Sequence, residues 1–201
     1  VGAVGALLWG AAPGAAWADP VAAPLSEAER ALEQAQESGQ RVEVVGQRTE
    51  STTTYANPDG FSFTLDQATA PVRVKRSDGS WVAPDATLHR AADGGVVPAA
   101  AVVDLRFSGG GSAQPLVSIG RGGRSLALTW PGSLPVPVLD GASAVYADVL
   151  PGVDLRMTAT VEGYHEVLVV KTPAAAADPR VGHVRFGMSS DGLTVRSTAG
   201  G

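Results

Sequence analysis

The chain changes its hydrophobic period once. Up to Gln40 the apolar residues recur at helical spacing, and after it they alternate with a period of two. In the first segment Leu25, Ala28, Leu32 and Ala35 form one stripe, and Glu27, Glu29, Glu33 and Glu37 fill the other face. Ser26 followed three residues later by Glu29 is a capping box, in which hydroxyl and carboxylate each satisfy an orphan backbone N–H, and Gly39 supplies a C-cap. The pattern predicts one short amphipathic helix. Its narrow, alanine-rich stripe predicts loose packing or a spacer role, with the acidic face in water.

Beyond the helix, Val42 and Val44 recur with a period of two, as do Phe61, Phe63 and Leu65, then Val72 and Val74, then Leu126, Leu128 and Trp130. The longest run is Val153, Leu155, Met157, Ala159 and Val161, with Asp154, Arg156, Thr158 and Thr160 between them. Each run predicts a strand with one face in a core and one in water. Val167-Leu168-Val169-Val170 is apolar on both faces and predicts a central strand. Asp59-Gly60, Asp78-Gly79, Asp93-Gly94, Asp140-Gly141 and Asp191-Gly192 punctuate these runs. Asp-Gly tolerates the positive φ of tight hairpins, so each is expected to reverse the chain between antiparallel strands. Calcium is the competing reading of acidic loops, but neither an EF-hand loop nor a glycine-aspartate nonapeptide repeat is present. Ala174 to Ala177 predicts one helical turn late in the chain.

The fold class that follows is all-β: an antiparallel β-sandwich behind one N-terminal helix. Gly109-Gly110-Gly111-Ser112 suggests a sub-boundary near 109–115, between residues 41–108 and 116–201. One larger sandwich and two small packed halves both fit.

Residues 1–18 carry no charge. Val4-Gly5-Ala6-Leu7-Leu8-Trp9 precedes Pro13 and Ala16-Trp17-Ala18, which reads as the apolar region and cleavage site of a secretory signal whose basic start is missing. An uncleaved anchor is the alternative; glycines, alanines and Pro13 weaken it. The expected organisation is a signal peptide over 1–18, a linker and helix over 19–40, and a β-rich domain over 41–201 that continues past its last residue. About 180 residues suffice to bury a core, which an exported chain without disulfides needs.

Composition narrows the chemistry. The 201 residues include 25 glycines and 14 prolines, which suits strands and turns and disfavours a helical bundle, and the mean hydropathy is +0.09. The absence of cysteine excludes disulfides, thiol nucleophiles and Cys-ligated metals. A net charge of −5 without a basic block argues against nucleic acid as partner. His89, His165 and His183 stand far apart in no metal-binding spacing, and His165 and Glu166 fall on opposite faces of a strand. No nucleophile elbow occurs among the serines. Gly120-Arg121-Gly122-Gly123-Arg124 has the glycines of a phosphate loop, but Ser125-Leu126-Ala127-Leu128 alternates like a strand, so a hairpin is expected. Asp148 with Asp154, or Glu162 with Glu166, could form a glycosidase couple if their separation allowed it. Trp81, Trp130, Tyr55, Tyr146, Tyr164 and the four phenylalanines are expected mostly to fill the sandwich rather than present sugar platforms.

Several phrases are distinctive as a set: Tyr55-Ala56-Asn57-Pro58-Asp59-Gly60, Pro71-Val72-Arg73-Val74, Asp78-Gly79-Ser80-Trp81, Thr87-Leu88, Tyr146-Ala147-Asp148-Val149-Leu150-Pro151-Gly152-Val153-Asp154-Leu155 and Glu166-Val167-Leu168-Val169-Val170-Lys171. Over most of residues 25–198 the chain resembles the N-terminal β-rich region of large secreted bacterial proteins that carry LamG-like, DNRLRE or RHS/YD-repeat modules downstream. The resemblance implies a secreted or cell-surface, non-catalytic leader module. Its partners would be the downstream domains of the same polypeptide, the membrane would be met only during export, and no catalytic, cofactor-binding or metal-ligating residue is carried over. Two other hypotheses stand beside it, a carbohydrate-binding sandwich for cell-wall or extracellular polysaccharide and a carboxylate-dependent glycoside hydrolase fragment.

Overall fold

A computed structural model describes residues 24–196; the expected signal segment lies outside the described residues. The helix forms as its caps dictate. In α1 (Glu27–Ser38) the Ser26 hydroxyl accepts the Glu29 N–H, the Glu29 carboxylate accepts the Ser26 N–H at 2.7 Å, and Gly39 ends the helix in the left-handed region at φ 69°. The buried stripe is Ala31 and Ala35, flanked by Ala28 and Leu32, whereas Leu25 lies before the helix and is exposed. Alanines let the helix sit close on its support. That support is a three-stranded antiparallel sheet of β1 (Val42–Glu43), β2 (Thr52–Ala56) and β3 (Phe63–Gln67), which contributes Ala56 and, just after β1, Val44 to the same small core.

A two-stranded ribbon, β4 (Val74–Lys75) and β5 (Trp81–Val82), leads to the main body. There a six-stranded antiparallel sheet runs in the order β15-β10-β9-β8-β7-β6. Its strands are β6 (Asp85–Arg90), β7 (Val96–Ala100), β8 (Asp104–Phe107), β9 (Val117–Arg121), β10 (Arg124–Thr129) and β15 (Gly187–Asp191). Facing it is a four-stranded meander of β11 (Val138–Asp140), β12 (Ser143–Leu150), β13 (Val153–Ala159) and β14 (Tyr164–Val170). One core joins the two sheets. Leu88, Val96, Leu105, Phe107 and Val117 enter it from the six-stranded sheet, and Ala144, Tyr146, Leu155, Met157 and Ala159 from the meander. Between β14 and β15 the chain crosses from one sheet to the other through α2 (Pro173–Ala176) and α3 (Pro179–Gly182). On the way it packs Phe186 edge-on against Trp130, at 5.8 Å between ring centroids.

The all-β architecture follows the expected period. β13 is the cleanest case, with Val153, Leu155, Met157 and Ala159 all buried and its alternate residues facing outward. Four Asp-Gly pairs turn between paired strands: β2–β3, β4–β5, β6–β7 and β11–β12; Gly120 to Arg124 turns between β9 and β10. The fifth pair, at Asp191-Gly192, ends β15 without returning to a strand among the described residues. The Gly109–Ser112 segment connects β8 to β9, which pair with each other in one sheet. Within it Gly111 exchanges backbone hydrogen bonds with Leu134 at 2.7 and 2.9 Å.

Three expectations fail on burial. Phe61, Phe63 and Leu65 do not enter a core: they are 79%, 43% and 59% exposed, because α1 covers β1 and β2 and leaves the edge strand β3 open. Val72 is exposed and precedes the ribbon rather than forming part of it. Val167 to Val170 lie on the edge strand of the meander, with Leu168 turned inward and Val167, Val169 and Val170 exposed. Late helical structure is also fuller than expected: α2 covers most of 174–177, and α3 follows, capped by Asp178.

Candidate functional site

The acid pair Asp148 and Asp154 is the first place to look for chemistry, and the fold does bring the two together. β12 and β13 pair at Tyr146↔Leu155 and again at Leu150↔Val153, so residues 147–149 bulge out opposite Asp154 alone. At the apex Asp148 adopts φ 52°, the left-handed region that non-glycine residues rarely occupy. Its N–H donates to Asp154 Oδ1 at 2.8 Å. Lys171 Nζ, from the end of β14, donates to Asp148 Oδ1 and to Asp154 Oδ1, both at 2.7 Å, while the Lys171 N–H donates to the Gly152 carbonyl at 2.9 Å.

The Lys171 hydrogen bond and the Asp148 N–H hold the Asp154 carboxyl below its ordinary range. A carboxyl shifted this way does not fit the general-acid role of a glycosidase couple, which needs a raised pKa. Two acids sharing one ammonium are built as a brace. The brace fixes the bulge, the Pro151-Gly152 turn and the start of the crossover. Gly152 sits at φ 72°, where an added Cβ would lie 3.0 Å from Ala175 Cβ. Of the other acid pair, Glu162 lies in the turn after β13 and Glu166 on exposed β14, with no hydrogen bond between them.

Three of the five Asp-Gly carboxylates, Asp59, Asp78 and Asp93, are likewise engaged by their own turns. Asp59 accepts the N–H groups of Phe61 and Ser62 at 3.0 and 2.9 Å, Asp78 that of Ser80 at 2.8 Å, and Asp93 that of Gly95 at 3.2 Å together with Arg106 Nη1 at 2.7 Å. These bonds lower all three pKa values; for Asp59 and Asp78 the serine side chains contribute most, and for Asp93 the Arg106 guanidinium does. They are Asx turns in which the side chain replaces a backbone acceptor. The three histidines are exposed and separate, on β6, on β14 and after α3, and no group of three His, Asp or Glu side chains converges among the described residues.

Trp81 and Trp130 do not form a paired sugar platform. Trp130 is 5% exposed and belongs to the sandwich core. Trp81 is half-buried on the ribbon, with Arg73 and Lys75 over its ring at 5.9 and 5.6 Å. Arg73 also ties the ribbon to the three-stranded sheet, donating through Nη1 to the Thr49 and Thr52 carbonyls and through Nη2 to Thr53 Oγ1.

Among the described residues, a cleft of about 470 Å³ opens at the edge of the sandwich. Trp130, Val149 and Leu150 contribute apolar walls, and Arg180, His183 and Arg185 bring cationic or protonatable groups from the crossover. No carboxylate lines it, although Asp178 engages Arg180 at 2.6 Å from outside. Sequence reasoning missed the cleft because its residues come from three distant segments. The one legible signal was the run of Arg180, His183 and Arg185 in an acidic chain.

The chain matches no family model, and no curated protein or solved structure matches it at a significant level.

Proposed function

We propose that this chain is a non-catalytic structural and spacer module of a larger exported protein, of the LamG, DNRLRE or RHS-repeat kind. One observation carries the reading: the distinctive phrases supply turns, a bulge and braces. Tyr55 to Gly60 forms the β2–β3 hairpin, whose Asn57 side chain bonds Ser62 and Thr64. Arg73 anchors the ribbon, and Asp78 to Trp81 turns it. Thr87 gives its N–H to Asp85 beside a register shift, and Leu88 enters the core. Tyr146 to Leu155 forms the bulge that Lys171 locks. A set of residues that served one chemistry would converge on one cavity, and these are spread over three sheets and the ribbon.

The test is a panel of cell-wall and extracellular polysaccharides, with binding followed by calorimetry and hydrolysis by release of reducing ends. A spacer gives neither signal while unfolding cooperatively by itself. Saturable binding to one glycan would replace this reading with the carbohydrate-binding one, and new reducing ends would replace it with the hydrolase.

A further inference from the structure

The open edge of the three-stranded sheet carries an inference of its own, independent of the spacer reading. β3 has β2 as its only strand neighbour among the described residues. The Asn57 N–H donates to the Ser62 carbonyl and the Ala68 N–H to the Ser51 carbonyl, so the even-numbered residues of this stretch point their backbone groups toward β2. By the alternation of an antiparallel ladder, Phe63, Leu65 and Gln67 point theirs outward, away from the sheet. On the face shared with α1 the row Val42–Ala56–Phe63 begins under the helix and ends beyond it. Phe61, Phe63 and Leu65 therefore extend the small core's apolar face into solvent. Edge strands are ordinarily blunted by charged side chains, proline or a bulge; Phe63–Gln67 has no proline or bulge and a single charge, Asp66.

We propose that this edge pairs with the same edge of a second copy of the chain, antiparallel and centred on Leu65. The backbone groups fix the register. Leu65 meets Leu65, and Phe63 meets Gln67, each as a hydrogen-bonded pair, because these are the residues whose N–H and C=O groups are free. The charge pattern is compatible with self-pairing: Asp66 is the sole charged residue from Phe61 to Thr69, and in this register it stands opposite Thr64 rather than its own copy. The product is a continuous six-stranded sheet with Phe63 and Leu65 of both copies meeting between the two α1 helices.

Sedimentation of the purified chain is expected to show a concentration-dependent dimer. Since the chain has no cysteine, single substitutions then read the register. Leu65→Cys places the two Cα atoms about 5.5 Å apart, within disulfide range. Phe63→Cys leaves its two copies about 14 Å apart, four residues out of register. Oxidation should give a covalent dimer with the first and not the second. Leu65→Lys and Leu65→Glu should each be monomeric with an unchanged circular dichroism spectrum, because Leu65 is exposed, and mixing the two should restore the dimer. The proposal is overturned by a wild-type monomer at all concentrations, by equal cross-linking of the two cysteine variants, or by failure of the mixture to associate. A monomer whose β3 amides are protected from exchange would assign the edge to another segment and overturn it equally.

Discussion

Tyr146→Phe removes one oxygen from the centre of the sandwich, and its cost can be worked from the contacts. Tyr146 is fully buried on β12, and its phenol O–H donates to the Ser108 carbonyl at 2.6 Å. Ser108 is itself 1% exposed and directly follows β8, and its N–H donates to the Leu116 carbonyl at 2.9 Å. This bond ties the start of the glycine-rich connection to the opposite sheet. A net hydrogen bond contributes about 1 kcal/mol, and leaving a buried carbonyl without its donor costs about 1–3 kcal/mol. The expected loss is about 2 kcal/mol, or about 4–8 °C in Tm for a chain of this size. Urea unfolding at pH 7 should show a lower midpoint with an unchanged slope. Tyr55→Phe, at a half-exposed position, should stay within about 0.5 kcal/mol of the wild type. Burial also pushes the Tyr146 pKa well above 10, the value expected of the unfolded chain. A group raised on folding contributes stability that is complete below its unfolded pKa and is lost as pH rises beyond it, so Tyr146→Phe should blunt alkaline destabilisation above about pH 10. A loss under about 0.5 kcal/mol at pH 7 would refute the reasoning, because it would mean that water or another donor reaches the Ser108 carbonyl.

Other perturbations separate the remaining supports. Gly152→Ala must place a Cβ at φ 72° against Ala175 and should cost at least about 1 kcal/mol by urea unfolding. Ser26→Ala should remove about 1 kcal/mol from α1, seen as faster amide exchange in Glu27–Ser38 with the sandwich amides unchanged. Lys171→Met should flatten the acid limb of stability. The Asp154 carboxyl is lowered on folding, so its contribution is present above its unfolded pKa of about 3.8 and disappears as pH falls through the folded value. Urea midpoints between pH 6 and pH 2 should therefore fall less steeply in the variant.

The period of the chain made the strands legible, and hairpin chemistry made most reversals legible, because both are local. Capping is local too, and the Ser26–Glu29 box folds as its spacing implies. Burial was less legible, since it depends on what covers a face. Phe63 and Leu65 carry the same alternation as Leu155 and Met157, yet β13 lies inside a four-stranded sheet under a second sheet, and β3 is an edge that α1 does not reach. Val167 to Val170 likewise look central by composition and are peripheral by sheet order. The Asp148–Asp154 proximity could be suspected from spacing, but its meaning could not. Lys171 arrives from the far end of β14, and the register of β13 against β14 brings it there. The cleft beside Trp130 depends on the crossover between sheets, which no local pattern encodes.

The central claim is that the distinctive phrases of this chain serve its architecture, and Asp154 is where it is most exposed to test. Carboxylates held for catalysis tend to be neutral or costly to stability, so replacing them leaves a protein as stable or more so. A brace behaves in the opposite way. Asp154→Ala removes the acceptor of the Asp148 N–H and one partner of Lys171. Its urea midpoint at pH 7 is expected to fall below that of the wild type, and a midpoint that is unchanged or raised would contradict the structural role assigned here.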